Sequence, residues 1–326
     1  MTIPRVFVTR ILPEKGMQLI HQVCEAEVWP DELPPPYEIL LEKARGAACL
    51  VSLLTDRIDA GLMDAAGGTL KVISQMAVGY DNVDVVAATA RGIPVGNTPG
   101  VLTEATADFA FTLLMAAARR VVEGERYVMA GAWKTWGPTL LMGYDVHGAT
   151  LGLVGFGRIG QAMARRAGGL GMRILYHDLA ADPGPAQQLG AQSRSLEGLL
   201  AESDFVSLHV PLTPETQYLI GERQLRKMKP SAILINTSRG PVVDPLALYD
   251  ALRQRTIAAA ALDVTDPEPI QLDDPLLSLE NCLIVPHIAS SNHATRTRMA
   301  TMTADNLSAG LRGERLPICV NPEVYR

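Results

Sequence analysis

Apolar residues recur along the chain in short continuous runs, which are separated by stretches with helical spacing. The early runs are "RVFVT", "ACLVSLL" and "LKVISQM", and the later ones are "ATLGLVGF", "RILYHD", "DFVSLHV", "AILINT", "AAALDV" and "CLIVPH". Continuous rather than alternating apolarity is typical of strands buried on both faces, as in parallel sheets covered by helices. The two series of runs therefore predict two α/β layers.

Two longer segments predict helices that organise these layers. The segment "TEATADFAFTLLMAAARRVVEGERYVMAGAW" begins at Thr103 with capping chemistry and predicts one long helix between the two series. After the last run, "HATRTRMATMTADNLSAGLRG" predicts an amphipathic helix with no strand behind it. Since one helix cannot form a domain, we expect it to pack on the first layer. This places one domain at residues 1–100 and 290–326, with a second domain, residues 101–289, inserted into it.

Composition narrows the class of protein. The 326 residues are 48% hydrophobic, which is enough for two cores, and the net charge of −6 argues against a nucleic-acid partner. The four cysteines lie far apart without metal-ligand spacing, so we expect reduced thiols, no metal site and a cytoplasmic protein. No secretory signal is visible, and the longest apolar run, "FAFTLLMAAA", is too short for a membrane span.

A glycine-rich turn follows the run "ATLGLVGF". Gly155, Gly157 and Gly160 form the spacing G-x-G-x-x-G directly before a helical stretch, which is the context of a dinucleotide-binding turn. The first glycine permits the tight turn, the second allows the backbone to approach a pyrophosphate, and the third lets helix and strand pack closely. Asp178, at the end of the next run, lies where a carboxylate binds the ribose. We therefore predict a dinucleotide-binding domain.

Charged residues stand directly after several later runs, where ligands bind in doubly wound sheets. They are His209, Arg239, Asp263, Glu268 and His287. Taken singly, each has an ordinary alternative: an arginine can form a surface salt bridge, a histidine can be a structural hydrogen-bonding residue, and a carboxylate in an acidic loop can be solvated.

Taken together, these motifs resemble one family. "VGFGRIGQAMARR", "LHVPLTPET", "LINTSRGPVVD", "ALDVTDPEP" and "VPHIASS", in this order, resemble the D-isomer-specific 2-hydroxyacid dehydrogenases. Within that family, "DVTDPEPIQLDDPLLSLENCLIVPHIASS" followed by "NLSAGLRGE" looks most like the glyoxylate/hydroxypyruvate reductases. The resemblance implies an α/β fold of two doubly wound parallel-sheet domains, in which a Rossmann NAD-binding domain is inserted into a flavodoxin-like substrate domain. It also implies NAD(P)H-dependent reduction of small 2-oxo acids, glyoxylate and hydroxypyruvate, to 2-hydroxy acids.

The resemblance assigns roles to individual positions. His287 would donate a proton to the substrate, Glu268 would pair with the imidazole, and Arg239 would grip the carboxylate. Substrate-binding positions, besides Arg239 and His287, would be Leu54, Val78 and Gly79. Cofactor-binding positions would be Thr106, Gly155, Gly157, Arg158, Ile159, Gly160, Asp178, His209, Pro211, Thr237, Ser238 and Asp263.

Other properties stay open or rest on fewer residues. NADH is favoured over NADPH by Asp178, by Asp182 and by the absence of Lys or Arg between them and Arg194, although a protonated His177 would offset part of this preference.

Leu140 or Leu141 stands where several glyoxylate/hydroxypyruvate reductases carry an aromatic residue, so a bulkier 2-oxo acid or phosphoglycerate remains an alternative substrate. A nucleotide-sensing corepressor-like protein is the alternative from another class. The resemblance further implies a homodimer joined through the cofactor domains, with "FAFTLLMAAA" as a candidate surface.

Overall fold

The structure is a computed structural model that describes residues 4–180 and 182–326. It divides into two compact units. One comprises the chain up to Leu102 together with Ser291–Arg326, and the other comprises Thr103–Ser290.

The first unit contains a five-stranded parallel sheet. Its strands are β1 (Arg5–Val8), β2 (Glu25–Val28), β3 (Cys49–Ser52), β4 (Val72–Gln75) and β5 (Val95–Gly96), and their order is β2-β1-β3-β4-β5. Its helices are α1 (Glu14–Val23), α2 (Tyr37–Ala44), α3 (Ala60–Ala66), α4 (Val85–Ala90) and the C-terminal helix, labelled α12 by chain order (His293–Leu311), with 3₁₀ turns at Gly67–Thr69 and Pro322–Tyr325.

Helix α12 covers one face of this sheet beside α1. Gly16 of α1 faces Ala300 of α12 so closely that a Cβ at Gly16 would lie 2.5 Å from the Ala300 Cβ. Gly310 of the same helix faces Val72 of β4 in the same way. Small residues at these crossings let the helices approach the sheet and each other. The other face buries Phe7, Leu50 and Ile73 under α2 and α3.

The second unit contains a seven-stranded parallel sheet. Its strands are β6 (Thr150–Val154), β7 (Arg173–His177), β8 (Gln192–Ser193), β9 (Phe205–Leu208), β10 (Ile233–Asn236), β11 (Ala259–Leu262) and β12 (Cys282–Ile284), and their order is β12-β11-β10-β9-β6-β7-β8. Its helices are α5 (Thr103–Ala118), α6 (Val121–Met129), α7 (Arg158–Gly168), α8 (Pro183–Gln188), α9 (Leu196–Glu202), α10 (Glu222–Leu225) and α11 (Pro245–Arg253), with 3₁₀ turns at Gly240–Val242 and Pro275–Ser278.

The direction in which the chain adds strands to this second sheet reverses between β6 and β9. From β6 the chain proceeds outward through β7 and β8, then returns to β9 on the other side of β6 and continues to β12. Hydrophobic clusters cover both faces, as the continuous apolar runs predict. The predicted fold class, two doubly wound parallel-sheet α/β domains, is confirmed. The reversal at β6 and β9 is the point where such sheets bind ligands.

The single long helix predicted from Thr103 is instead two helices. Arg120 adopts a left-handed backbone with φ 52°, and the N–H of Tyr144 donates to the carbonyl of Ala118 at 2.9 Å. Because the carbonyl of Ala118 accepts a hydrogen bond from a residue distant in sequence, α5 ends there and α6 begins as a separate helix. In the candidate dimer surface on α5, Ala110, Leu113 and Leu114 are buried in the core of their own unit, and its other large side chains, Phe109, Phe111 and Met115, are half-buried.

Candidate active site

Most of the predicted site residues of the second unit follow the carboxyl ends of its strands. Those after β6 and β7 belong to the glycine turn and Asp178, and those after β9, β10, β11 and β12 are His209, Thr237 to Arg239, Asp263 and His287. The parallel sheet therefore brings residues that are far apart in sequence to one edge of one sheet.

The glycine turn has the conformation that its residue types predict. Gly155 has φ 94°, and a Cβ there would lie 2.7 Å from the backbone carbonyl of His209. At Gly160, a Cβ would overlap the carbonyl oxygen of Gly155. Around Gly157, by contrast, a Cβ would meet nothing within 4 Å. The turn thus leaves open space at the position where a pyrophosphate approaches, directly before Arg158 and Ile159 begin α7.

Asp178 connects the end of β7 to the glycine turn. One carboxylate oxygen accepts the N–H of Phe156 at 2.7 Å, and the other accepts the N–H of Ala180 at 2.8 Å. These two bonds fix the carboxylate beside the turn while leaving further acceptor sites on each oxygen. Sequence reasoning predicted the position of Asp178 but not this bond to the turn.

His209 is held at the end of β9 by a buried serine. Its Nε2 lies 3.0 Å from the hydroxyl of Ser207, and its backbone N–H donates to Val154 at 2.7 Å. Burial lowers the pKa of His209 to about 4, so the ring is neutral near pH 7. Pro211 follows, and its carbonyl accepts the hydroxyl of Thr216.

The loop after β10 presents Thr237, Ser238 and Arg239. The side-chain oxygen of Asn236 accepts both the N–H and the hydroxyl of Ser238, while its amide donates to the carbonyl of Arg239 at 2.9 Å. The hydroxyl of Thr237 is buried without a hydrogen-bond partner. A buried hydroxyl with no partner is costly unless a ligand supplies one, so this orphan fits the predicted cofactor site.

The loop that follows β11 carries Glu268 and packs against the loop of Arg239. A Cβ at Gly240 would overlap the carbonyl group of Thr265 and would lie 2.8 Å from the backbone nitrogen of Asp266. Only glycine therefore allows the two loops to approach this closely. The peptide bonds Asp266–Pro267 and Glu268–Pro269 are both cis, and Tyr218 donates to Asp266 at 3.0 Å.

Glu268 and His287 form a hydrogen-bonded pair. Oε1 of Glu268 lies 2.6 Å from Nδ1 of His287, whose backbone is left-handed with φ 51°. Asp263 supports this conformation, because its two carboxylate oxygens accept the N–H groups of Ile288 and Ala289 at 2.7 and 2.9 Å. Burial raises the pKa of Asp263, and the two backbone N–H bonds oppose that rise.

The predicted substrate positions Leu54, Val78 and Gly79 lie in the first unit. Leu54 follows β3, and Val78 and Gly79 follow β4, so these residues share the carboxyl edge of the five-stranded sheet. Thr106, a predicted cofactor position, is buried on α5 of the second unit.

Within residues 4–180 and 182–326, no helix is long and apolar enough to cross a membrane. The same described residues contain no cluster of His, Cys, Asp or Glu that could hold a metal ion.

Comparisons with known proteins identify the family of this chain. The family profile described as the NAD binding domain of the D-isomer specific 2-hydroxyacid dehydrogenases matches residues 111–289. The chain belongs to the D-isomer specific 2-hydroxyacid dehydrogenase family. It is 59% identical to a glyoxylate reductase of Korarchaeum cryptofilum, over 99% of this chain and 97% of that protein.

Two solved structures resemble this dehydrogenase over its full length. A protein from Thermus thermophilus is 51% identical with a TM-score of 0.91, covering 97% of this chain and 99% of its own. An NADPH-dependent glyoxylate/hydroxypyruvate reductase of Sinorhizobium meliloti, solved with NADP and malonate, is 32% identical with a TM-score of 0.87 and covers 100% and 99%. The predicted family is therefore confirmed, and the dehydrogenase is an oxidoreductase with an NAD(P)-binding domain.

Several supporting residues of this dehydrogenase escaped the sequence analysis. Asn236 and Gly240 flank the Thr237–Arg239 loop, and Ser207 holds His209. Asn236 and Gly240 lie within the motif "LINTSRGPVVD", and Ser207 lies within the apolar run "DFVSLHV". A polar residue at the end of an apolar run, a glycine after an arginine and a serine within a strand are all common in proteins, so none of them indicates a supporting role by itself.

Proposed function

We propose that the protein reduces glyoxylate and hydroxypyruvate to their 2-hydroxy acids. The observation that carries this proposal is the pair formed by Glu268 and His287, at 2.6 Å, on the same sheet edge as Arg239 and the glycine turn. An imidazole paired with a carboxylate is suited to proton transfer, and a guanidinium is suited to a carboxylate substrate. A 2-oxo acid presents both groups, a keto oxygen and a carboxylate on adjacent carbons.

Each residue has a distinct task in this proposal. His287 donates a proton to the keto oxygen through Nε2, because Nδ1 is paired with Glu268. Glu268 holds the ring through its bond to Nδ1. Arg239 binds the substrate carboxylate and polarises the carbonyl. In the first unit, the backbone N–H groups of Val78 and Gly79 are the proposed carboxylate donors, and Leu54 is the third proposed substrate residue.

Residues that would hold the cofactor are the glycine turn with Arg158 and Ile159, together with Thr106, Asp178, His209, Pro211, Thr237, Ser238 and Asp263. When bound, the nicotinamide cofactor supplies the hydride that the keto carbon accepts. The open space at Gly157 and the orphaned hydroxyl of Thr237 support this assignment.

NADH is the proposed cofactor. Asp178 places a carboxylate beside the glycine turn, where it favours ribose hydroxyls over a 2′-phosphate. Arg194, the nearest following arginine in the chain, is committed elsewhere. Its guanidinium binds Glu202 at 3.0 Å and Gln192 at 3.0 Å, and Glu202 is shared with Arg173. His177 places its Nδ1 at 3.1 Å from the carbonyl of Arg194.

A homodimer joined through the second unit is also proposed. Its support is an exposed apolar group on α6 and the following loop, in which Met129, Trp133, Trp136 and Met142 are 77%, 60%, 78% and 66% exposed. Large apolar side chains exposed together mark interaction surfaces, and most soluble oligomers are symmetric homodimers. Sedimentation of the wild type and of Trp136→Glu tests this proposal.

The four unpaired cysteines support a reducing compartment such as the cytoplasm.

One spectrophotometric screen tests the proposed reaction. NADH or NADPH oxidation is followed with glyoxylate, hydroxypyruvate, pyruvate, a branched 2-oxo acid and 3-phosphohydroxypyruvate. Glyoxylate and hydroxypyruvate should give the highest kcat/KM, and His287→Ala should lower kcat by ~10²–10⁴-fold with NADH binding retained. His21→Ala, an exposed histidine of α1, is the control. Highest turnover on another acid would reassign the substrate, and cofactor binding without turnover would favour a corepressor-like protein.

A further inference from the structure

Two amides, the buried Gln75 and the half-buried Asn82, join the loops that follow β3 and β4 in the first unit. Gln75, the last residue of β4, accepts the hydroxyl of Ser52 at 2.7 Å. Its amide donates to the carbonyl of Gly79 at 3.2 Å and to Oδ1 of Asn82 at 2.5 Å. Asn82 in turn donates to the carbonyls of Leu53 and Asp56, at 3.0 and 2.7 Å. The chain of bonds therefore runs from one strand end, through the second loop, back to the first loop.

The direction of every bond in this chain is fixed. The carbonyls of Leu53 and Asp56 can only accept, so Asn82 must present its amide to them and its oxygen to Gln75. Gln75 must then present its amide to Asn82, and its oxygen is left for the hydroxyl of Ser52. If either side-chain amide were rotated by 180°, its oxygen would face another hydrogen-bond acceptor. Since Gln75 and Ser52 are fully buried, water cannot replace a lost bond without entering the unit.

The two connected loops contain the proposed substrate residues of this unit. Leu54 lies between Leu53 and Asp56, whose carbonyls Asn82 binds. Gly79 is bound directly by Gln75 through its carbonyl, and Val78 is bound through its carbonyl by Asn97 at 2.8 Å. The Val78 carbonyl shares its peptide unit with the Gly79 N–H, so its bond to Asn97 orients that N–H group, and the bond of Gln75 to the Gly79 carbonyl restrains the other side of Gly79.

We infer that Gln75 is a positioning residue for the substrate carboxylate. By holding the Gly79 carbonyl and joining the two loops through Asn82, it restrains the backbone of Gly79 and keeps the loop that carries the Val78 and Gly79 N–H groups in place. Pre-oriented donors bind an anion without an ordering cost at the moment of binding, so their disorder should weaken carboxylate binding first. The inference rests on the proposed function, because it takes Val78 and Gly79 to be the carboxylate ligands.

The first test compares two equally buried amides. Gln75→Met keeps the length of the side chain and removes its hydrogen bonds. The matched control is Asn321→Leu, because Asn321 is also fully buried and fully bonded, to the backbone of Val95 and Ile93 and to Thr89. We expect Gln75→Met to raise KM for glyoxylate about tenfold, with kcat and the Kd of NADH little changed. Asn321→Leu should lower Tm similarly and leave KM within about twofold of the wild-type value.

A second pair of variants serves if Gln75→Met does not fold. Ser52→Ala removes one bond to Gln75, and Ser74→Ala removes one bond from an equally buried serine of the next strand to the carbonyl of Thr303. Only Ser52→Ala should raise KM for glyoxylate, by about threefold. An unchanged KM in Gln75→Met or Ser52→Ala, or an equal rise in the control, would overturn the inference. If the wild type is active and one of these results is obtained, only the positioning role is refuted. If the wild type is inactive on all 2-oxo acids, the proposed function itself is refuted.

Discussion

Nδ1 of His287 lies 2.6 Å from Oε1 of Glu268, although the two residues are 19 positions apart in the chain. They come from segments that follow two adjacent strands, β11 and β12. The ring is thereby oriented through one nitrogen, and the other nitrogen remains for proton exchange with a substrate.

Replacing Glu268 by Gln should lower the rate of the reaction. The amide keeps the size of the side chain but carries no charge, so its bond to Nδ1 is weaker than that of the carboxylate and holds the ring of His287 less firmly. We expect kcat/KM for glyoxylate to fall about tenfold or more, with the Kd of NADH unchanged. Asp273→Asn, in the same exposed acidic loop, is the control. A kcat/KM that is the same in Glu268→Gln and wild type would contradict the role of the pair.

Eight of the nine strands that the apolar runs predict lie inside their sheets, and the ninth, β12, lies at an edge. The strands that the runs do not predict are β2, β5 and β8, and each of them lies at an edge of its sheet. An edge strand such as β8, with the exposed residues Gln192 and Ser193, buries too little apolar area to leave a continuous run. The sequence pattern therefore identifies the centre of each sheet better than its borders.

The candidate site shows a similar division. Arg239, Glu268 and His287 could be recognised because each belongs to a dense local motif. The bond from Phe156 to Asp178 and the close approach of Gly240 to Thr265 join segments that are distant in sequence. Such contacts are set by how the loops pack, so no local pattern of residues indicates them.

Arg239→Lys should damage the reaction although it preserves the charge. An ammonium cannot form the planar pair of hydrogen bonds that a guanidinium forms with a carboxylate. Loss of one charge-assisted bond should lower kcat/KM for glyoxylate by about 10- to 100-fold, while the Kd of NADH stays unchanged. Arg226→Lys, in an exposed ion pair with Glu222, is the control. A change confined to NADH binding would make Arg239 a cofactor residue instead.

Gly240→Ala should disturb both stability and catalysis. The added Cβ would overlap the backbone carbonyl of Thr265, which cannot move without shifting the loop that carries Glu268. We expect about 1–3 kcal/mol of destabilisation, together with a lower kcat for glyoxylate. Gly168→Ala, where a Cβ meets nothing within 4 Å, should have neither effect. Thermal unfolding and steady-state kinetics of both variants measure the difference, and equal behaviour would show that the loops adapt.

Protonation of His209 should lower the free energy of unfolding in weak acid. Burial lowers its pKa to about 4 from an ordinary value of 6.5, so the unfolded chain binds a proton that the folded protein excludes between these values. The stability contributed by neutral His209 is complete above about pH 6.5 and is lost as the pH falls toward 4, by up to ~1.4 kcal/mol per pH unit. Urea unfolding between pH 4.5 and 7 should show a smaller slope for His209→Gln than for wild type or His21→Gln. Equal slopes would mean that His209 is protonated in the folded state.

Asp178 should give the enzyme a preference for NADH. Its carboxylate is fixed by the N–H groups of Phe156 and Ala180, so it cannot easily turn away from a 2′-phosphate. Repulsion at contact distance in a partly exposed site is worth at least ~1–2 kcal/mol, or roughly tenfold in kcat/KM. In Asp178→Asn the charge is lost while one oxygen acceptor for these N–H groups remains, so the preference should shrink mainly through improved use of NADPH. Asp182→Asn, which alters an exposed carboxylate capping α8, should leave the ratio unchanged. Equal kcat/KM for the two cofactors in the wild type, with no response to Asp178→Asn, would show that Asp178 braces the glycine turn without selecting the cofactor.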